Sequence, residues 1–187
     1  MRRYALPVTI TGLVVALLVA LAIGISDQKA NNSIAYSVAS HHDKLPPDDT
    51  RQLPVLLDGD GARTRSLADY RGRVVLVNYF AAWCDGCAEE APLMGKLEKL
   101  MAAHGGTVLG ISTNDSPSKA LGFMRRYHNV YPVLQDTGGD LLNAFNETTM
   151  PDSYVIGRDG KIVALNLYPL TMQWVRQNLM PILDRSG

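Results

Sequence analysis

Trp83-Cys84-Asp85-Gly86-Cys87 holds the only two cysteines among 187 residues. The run before it, Val74-Val75-Leu76-Val77-Asn78-Tyr79-Phe80, is apolar apart from one asparagine. A short run of this kind reads as a buried strand. From Asp85 to about Ala103 the apolar residues recur with helical spacing. Cys84 therefore opens a helix, where unpaired backbone N–H groups and the positive end of the helix dipole favour thiolate. With two residues intervening, Cys87 sits one turn inward and its sulfur can reach that of Cys84, closing a small disulfide ring. The pattern predicts a redox switch with Cys84 as its nucleophile. A purely structural bridge is the weaker reading, because so short a loop removes little chain entropy. A zinc site would need about four ligands, and His41, His42, His104 and His128 show no ligand spacing beside the one cysteine pair.

The same helix carries a carboxylate in an unusual place. At about 100° per residue from Cys87, the residues Leu93, Met94, Leu97, Leu100 and Met101 share one arc, and Glu90 falls near its middle. Lys96, Lys99 and Glu89 lie outside it. Glu90 is expected to be buried, with a raised pKa, one turn from a sulfur with which it can exchange a proton. A Glu90 that tilts to the sheet edge and stays solvated is the competing reading.

Further out, strands and helices alternate. Residues 54–57 and 62–67 flank Asp58-Gly59-Asp60-Gly61 as a short hairpin. Residues 107–111 form a second buried strand, and Ser116-Pro117 starts a helix to about Tyr127. A strand over 131–135 and a small helix over 140–145 follow. Residues 153–156 and 161–167 form a hairpin around Arg158-Asp159-Gly160, and Thr171 caps a last helix to about Leu183. This order implies an α/β domain with a mixed central sheet flanked by helices, whose site lies at the carboxyl ends of the strands. Cys84 falls there.

That domain occupies residues 53–187, and two different segments precede it. Met1-Arg2-Arg3 leads into an apolar run over residues 4–25, interrupted only by Pro7, Thr9, Thr11 and glycines. As a helix it is about 33 Å long, enough for a hydrocarbon core of about 30 Å. The arginines precede the run, whereas Asp27 and Lys29 follow it, so the bulk of the chain is expected outside the cytoplasm. Residues 1–25 are thus expected to be a cytoplasmic N-terminus and transmembrane signal anchor. Ala20-Leu21-Ala22 resembles a cleavage site, making a cleaved signal peptide the alternative, but the apolar run continues past it. Residues 26–52, rich in Asn, Ser, Asp, His and Pro, read as a flexible polar tether with a reach on the order of 30 Å. Lysine plus arginine equals aspartate plus glutamate, and neither a basic stripe nor a Gly-rich phosphate loop occurs. Nucleic-acid and nucleotide ligands are therefore unsupported.

The run Asn78-Tyr79-Phe80-Ala81-Ala82-Trp83-Cys84-Asp85-Gly86-Cys87-Ala88-Glu89-Glu90-Ala91-Pro92, with Met150-Pro151 downstream, resembles the thioredoxin superfamily. Within it, the chain is similar to the membrane-anchored TlpA/ResA/DsbE-type thiol-disulfide oxidoreductases of bacteria. The likeness covers nearly all of residues 53–187, including the N-terminal β-hairpin that those proteins add to the thioredoxin fold. It implies that Cys84 attacks and Cys87, buried, resolves. It also implies that Pro151 is cis beside the disulfide, that Met150 and Trp83 join it in binding substrate, and that Glu90 is the buried acid of this subfamily. The chain departs at Gly86, where proline is usual; glycine there lifts a φ constraint and is expected to loosen the helix start.

The implied reaction is disulfide exchange through a mixed disulfide, without cofactor or metal. The implied partners are protein thiols and disulfides, apocytochrome c among them, and a membrane thiol-disulfide electron donor. The implied location is the periplasmic side of a bacterial cytoplasmic membrane. Reduction of specific thiols is the first reading and net oxidation of secreted proteins the second. From another class, a copper-binding chaperone would use the two thiolates for Cu(I), although such proteins space their cysteines by three residues.

Overall fold

The computed structural model describes residues 44–59, 61–145 and 150–185, with Val14, Val15, Val19 and His42 as isolated positions. Nearly all of the apolar run expected to form an anchor lies outside the described residues. Among the described residues no helix is long and apolar enough to cross a membrane.

The elements are β1 (Leu53–Leu57), β2 (Thr64–Arg65), a 3-10 turn (Leu67–Tyr70), β3 (Val75–Phe80) and α1 (Asp85–Ala103). They continue with β4 (Thr107–Thr113), α2 (Pro117–Arg126), β5 (Val133–Asp136), α3 (Asp140–Ala144), β6 (Asp152–Ile156) and β7 (Ile162–Asn166). A last helix, α4, spans residues 172–185. The described strands form one seven-stranded sheet in the order β2-β1-β5-β4-β3-β6-β7. β3, β4 and β5 run parallel, while β6 and β7 on one side and β1 and β2 on the other are antiparallel to their neighbours. The mixed sheet is the expected architecture, and the hairpin β1–β2 is present.

Alternation along β3 divides the core in two, because successive side chains of a strand point to opposite faces. Leu76 and Phe80 pack with Met94, Leu97 and Met101 of α1, Phe123 and Met124 of α2, and Val175 and Leu179 of α4. Val75, Val77 and Tyr79 face the other way, against Leu67 and Tyr70 of the 3-10 turn and Leu141 and Leu142 of α3. Both faces of β3 are closed, which is why the strand reads as a continuous apolar run. Its open end is the carboxyl end, from which Ala81 to Cys84 lead into α1.

Two boundaries and the interior of the last helix differ from the expectation. Residues 44–52, assigned to the tether, pack on the domain: the Ile162 N–H donates to the Lys44 carbonyl at 2.9 Å, and the Ala68 N–H to that of Asp49 at 2.9 Å. Pro46 is buried. The second hairpin strand stops at Arg65, because Asp69 accepts from both the N–H and the hydroxyl of Ser66, at 2.7 and 3.0 Å, and nucleates the 3-10 turn. The last helix is capped as expected, Thr171 Oγ1 accepting from the Trp174 N–H at 3.2 Å, but Val175–Leu179 widens into a π turn. Pro181 follows, and it has no N–H to offer the carbonyl four residues back.

Candidate active site

Cys84 is the N-cap of α1, and its sulfur accepts the Cys87 N–H at 3.1 Å. The two sulfurs are bonded, with Cα atoms 5.3 Å apart. Cys84 is 7 % exposed and Cys87 1 %. An incoming partner therefore meets the sulfur of Cys84 first. Trp83 beside it is 58 % exposed and donates its indole N–H to the Asn114 carbonyl at 3.1 Å.

The loop bearing these residues is held by a neighbour that the sequence does not announce. Asp115, two residues past the end of β4, accepts the Ala82 N–H at 2.7 Å and the Ser116 N–H at 2.8 Å. Its own carbonyl accepts from Gln135 Nε2 at 2.9 Å. Asp115 thus ties the turn before Trp83-Cys84 to two parallel strands. Asp115-Ser116-Pro117 reads as a helix start, and only the parallel pairing of β3 with β4 reveals its second task.

Met150-Pro151 is a cis bond, as the resemblance implies, and Pro151 is buried. Its ring lies against Gly86: a Cβ built there would sit 2.9 Å from Pro151 Cδ and 3.3 Å from Pro169 Cγ. A side chain here would force the Pro151 ring or the helix start to shift, since real Cβ contacts essentially never fall under 3.0 Å. Two proline rings close around the glycine that was expected to loosen the helix start.

Glu90 is 2 % exposed, on the buried face with Cys87, Ala91, Met94, Leu97 and Met101. One carboxylate oxygen accepts from Asn78 Nδ2 at 2.7 Å and the other from the Leu170 N–H at 2.7 Å. Asn78 also donates to Ser153 Oγ at 3.1 Å, its register partner on β6. Desolvation pushes the Glu90 carboxyl up to about 7 from an ordinary 4.5, and the two hydrogen bonds oppose it without cancelling it. Tyr131 nearby is pushed well above the usual phenol range by burial and by the charge of Glu90.

This shift makes stability depend on pH. Below about 4.5 the carboxyl is protonated in the folded and unfolded chain alike, and above about 7 it is ionised in both. Between these values the unfolded chain releases a proton that the folded chain keeps, so stability falls as pH rises, by on the order of 3 kcal/mol. Glu90→Gln loses one accepted hydrogen bond at every pH but removes the slope. Relative to wild type it should gain stability by that order between about pH 4 and pH 8. Urea midpoints at both pH values check this, and an equal difference at the two would put the carboxyl in solvent.

The structure brings together Cys84, Cys87, Gly86 and Pro151, with Met150 preceding the cis proline and Trp83 preceding Cys84, and it puts Glu90 on the buried face of α1 one turn from Cys87. Among the described residues no three His, Cys, Asp or Glu side chains gather in a form that could hold a metal ion. Pro169 and Leu170, which touch Gly86 and Glu90, have no local sequence signal beyond the proline itself.

The model of the AhpC/TSA family matches residues 44–165. The thiol-disulfide oxidoreductase ResA of Bacillus subtilis is 30 % identical over 135 residues, covering 71 % of this chain and 75 % of that protein. ResA of Geobacillus thermodenitrificans is 28 % identical over 128 residues, 68 % of this chain and 73 % of that one. Among solved structures, a DsbE-type thiol:disulfide interchange protein from Chlorobium tepidum superposes with a TM-score of 0.66 at 22 % identity, over 76 % of this chain and 99 % of that one. That likeness shows the thioredoxin-like fold. The chain belongs to the AhpC/TSA family of the thioredoxin superfamily, among the ResA-like thiol-disulfide oxidoreductases.

Proposed function

We propose that this chain is an extracytoplasmic thiol-disulfide oxidoreductase, anchored in a bacterial cytoplasmic membrane by residues 4–25, that reduces disulfides of specific protein partners, apocytochrome c among them. The observation that carries the reading is a bonded cysteine pair at a helix N-cap. Its outer sulfur is the more exposed, and its inner one lies a turn from a buried carboxyl.

In the reduced chain, the Cys84 thiolate attacks one sulfur of a partner disulfide. A new S–S bond forms, and the other partner sulfur leaves as thiolate and takes a proton. Cys87 gives its proton to Glu90 and attacks Cys84 Sγ, which re-forms the Cys84–Cys87 bond and expels the partner as its second thiol. Two electrons leave the chain, and a membrane thiol-disulfide donor returns them. Trp83 and the Met150 backbone beside cis-Pro151 hold the partner polypeptide.

The helix N-terminus acts mainly on the leaving group. Lowering a thiol pKa from about 8.5 to about 7 raises the thiolate fraction at neutral pH roughly fifteen-fold, while a Brønsted slope near 0.45 removes roughly five-fold in nucleophilicity. Attack gains only about three-fold. During re-reduction, expulsion of Cys84 from its mixed disulfide with the donor gains as well, because a more acidic thiol leaves faster.

Two measurements test the parts of this reading. A peptide with the C-x-x-C-H haem-attachment pattern in disulfide form should be reduced faster than the same residues in scrambled order. Equal rates would remove apocytochrome c as a partner. Protease added to spheroplasts should digest residues 53–187, and carbonate washing should leave the undigested chain in the membrane; quantitative release by carbonate would rule out the anchor.

A further inference from the structure

Gly86 stands between the two cysteines, and the space over it is filled from outside the helix. Pro151 supplies one ring and Pro169 the other, at 2.9 and 3.3 Å from where a Cβ would be. Pro169 lies in the loop after β7 and is held on both sides. The Tyr168 carbonyl before it accepts from Asn166 Nδ2, and the Leu170 N–H after it donates to Glu90 Oε2 at 2.7 Å. Pro169 has no N–H of its own to satisfy, and its φ is fixed by the ring. The result is a pinned apolar wall over Gly86, between the two cysteines in sequence, followed by a buried Leu170 and preceded by Tyr168, which is 61 % exposed.

We propose that Pro169 is a positioning residue for exchange at Cys84: its ring occupies the side-chain space over Gly86, shields that flank of the disulfide from small molecules and gives a partner polypeptide a fixed surface to dock on. The proposal rests on the reading that Cys84 and Cys87 are the exchanging pair. Glycine at 86 is then matched to both prolines, because a side chain at 86 would compete for one volume with the ring at 169 as well as with the nearer ring of Pro151. A small disulfide needs only access to the sulfur. A protein disulfide also needs its flanking chain held in line, so removing the wall affects the two substrates in opposite senses.

The full 187-residue chain, reduced, is assayed with glutathione disulfide and with a protein disulfide such as insulin. Pro169→Gly and Pro169→Ala should each raise the glutathione-to-protein rate ratio by about five-fold, a coupling of the size that residues in contact show. Gly86→Ala should shift the ratio in the wild-type background and less, though not to nothing, beside Pro169→Gly, since the tight 3.3 Å contact is then gone while the 2.9 Å contact with Pro151 Cδ remains. An unchanged ratio in both Pro169 variants overturns the proposal. So does an effect of Gly86→Ala that is equally large with and without the ring, and so does failure of both Pro169 variants to fold, which would assign the ring to stability. Cys84→Ser in the same assay separates the two levels: exchange surviving there overturns the reading beneath, whereas exchange lost there with an unchanged Pro169 ratio overturns this proposal alone.

Discussion

Cys84→Ser should abolish disulfide exchange, while Cys87→Ser should keep the first half-reaction and lose the second. The asymmetry follows from position. Cys84 caps α1 with its sulfur accepting a backbone N–H and is the more exposed of the two, whereas Cys87 is buried beneath it. A serine hydroxyl at 84 offers no thiolate at neutral pH and cannot form the mixed disulfide, so a loss of at least about 10³-fold is expected in insulin reduction. At 87, serine leaves attack intact, so one equivalent of partner should be captured and held. Stopped-flow traces should show a full first phase and no turnover. Equal residual turnover in the two variants would overturn the order of attack.

The next largest effect is expected for Glu90→Gln in the resolving step. Cys87 must lose a proton before it can attack, and the buried group one turn away that can take it is a carboxyl held at about 7. Below that value Glu90 is neutral and cannot accept; above it the ionised form can. Release of partner from Cys84 should therefore rise through neutral pH in wild type. Tyr131, the other titratable group influenced by Glu90, is pushed up and stays neutral across this range, so it adds no limb of its own. Glu90→Gln keeps the shape of the side chain and removes the base, and should slow resolution about 10²-fold at about pH 8 while losing the neutral inflection. Single-turnover decay of a labelled mixed disulfide checks this. Profiles that superimpose from about pH 5 to about pH 9 would remove Glu90 from proton transfer.

Glu90 and Pro169 mark the boundary of what the sequence carries. Glu90 was legible because helical periodicity is local: its place on the arc with Met94, Leu97 and Met101 follows from spacing alone, and burial with a raised pKa follows from that. The strand-to-helix setting of Cys84 was legible for the same reason, and cis-Pro151 came with the resemblance. What escaped is long in sequence and short in space. Leu170 lies 80 residues from the carboxylate it donates to, and Asp115 lies 33 from the Ala82 N–H it accepts. Neither pairing leaves a periodic trace. Gly86 shows the cost of local reasoning most plainly: read alone it is a flexible residue, yet it sits between two rings that come from distant loops. Residues 44–52 differ from the expected tether for the same reason, since a polar, proline-containing stretch looks solvated until β7 and the 3-10 turn are there to donate N–H groups to its carbonyls.

The measurement that bears most directly on the exchange mechanism is peptide mapping of the Cys87→Ser chain after it has met a disulfide-bonded protein. The expected product is a covalent adduct released by reductant, whose only linkage joins Cys84 to a partner cysteine, with no adduct formed by Cys84→Ser. Adducts of equal yield from both variants would contradict the account.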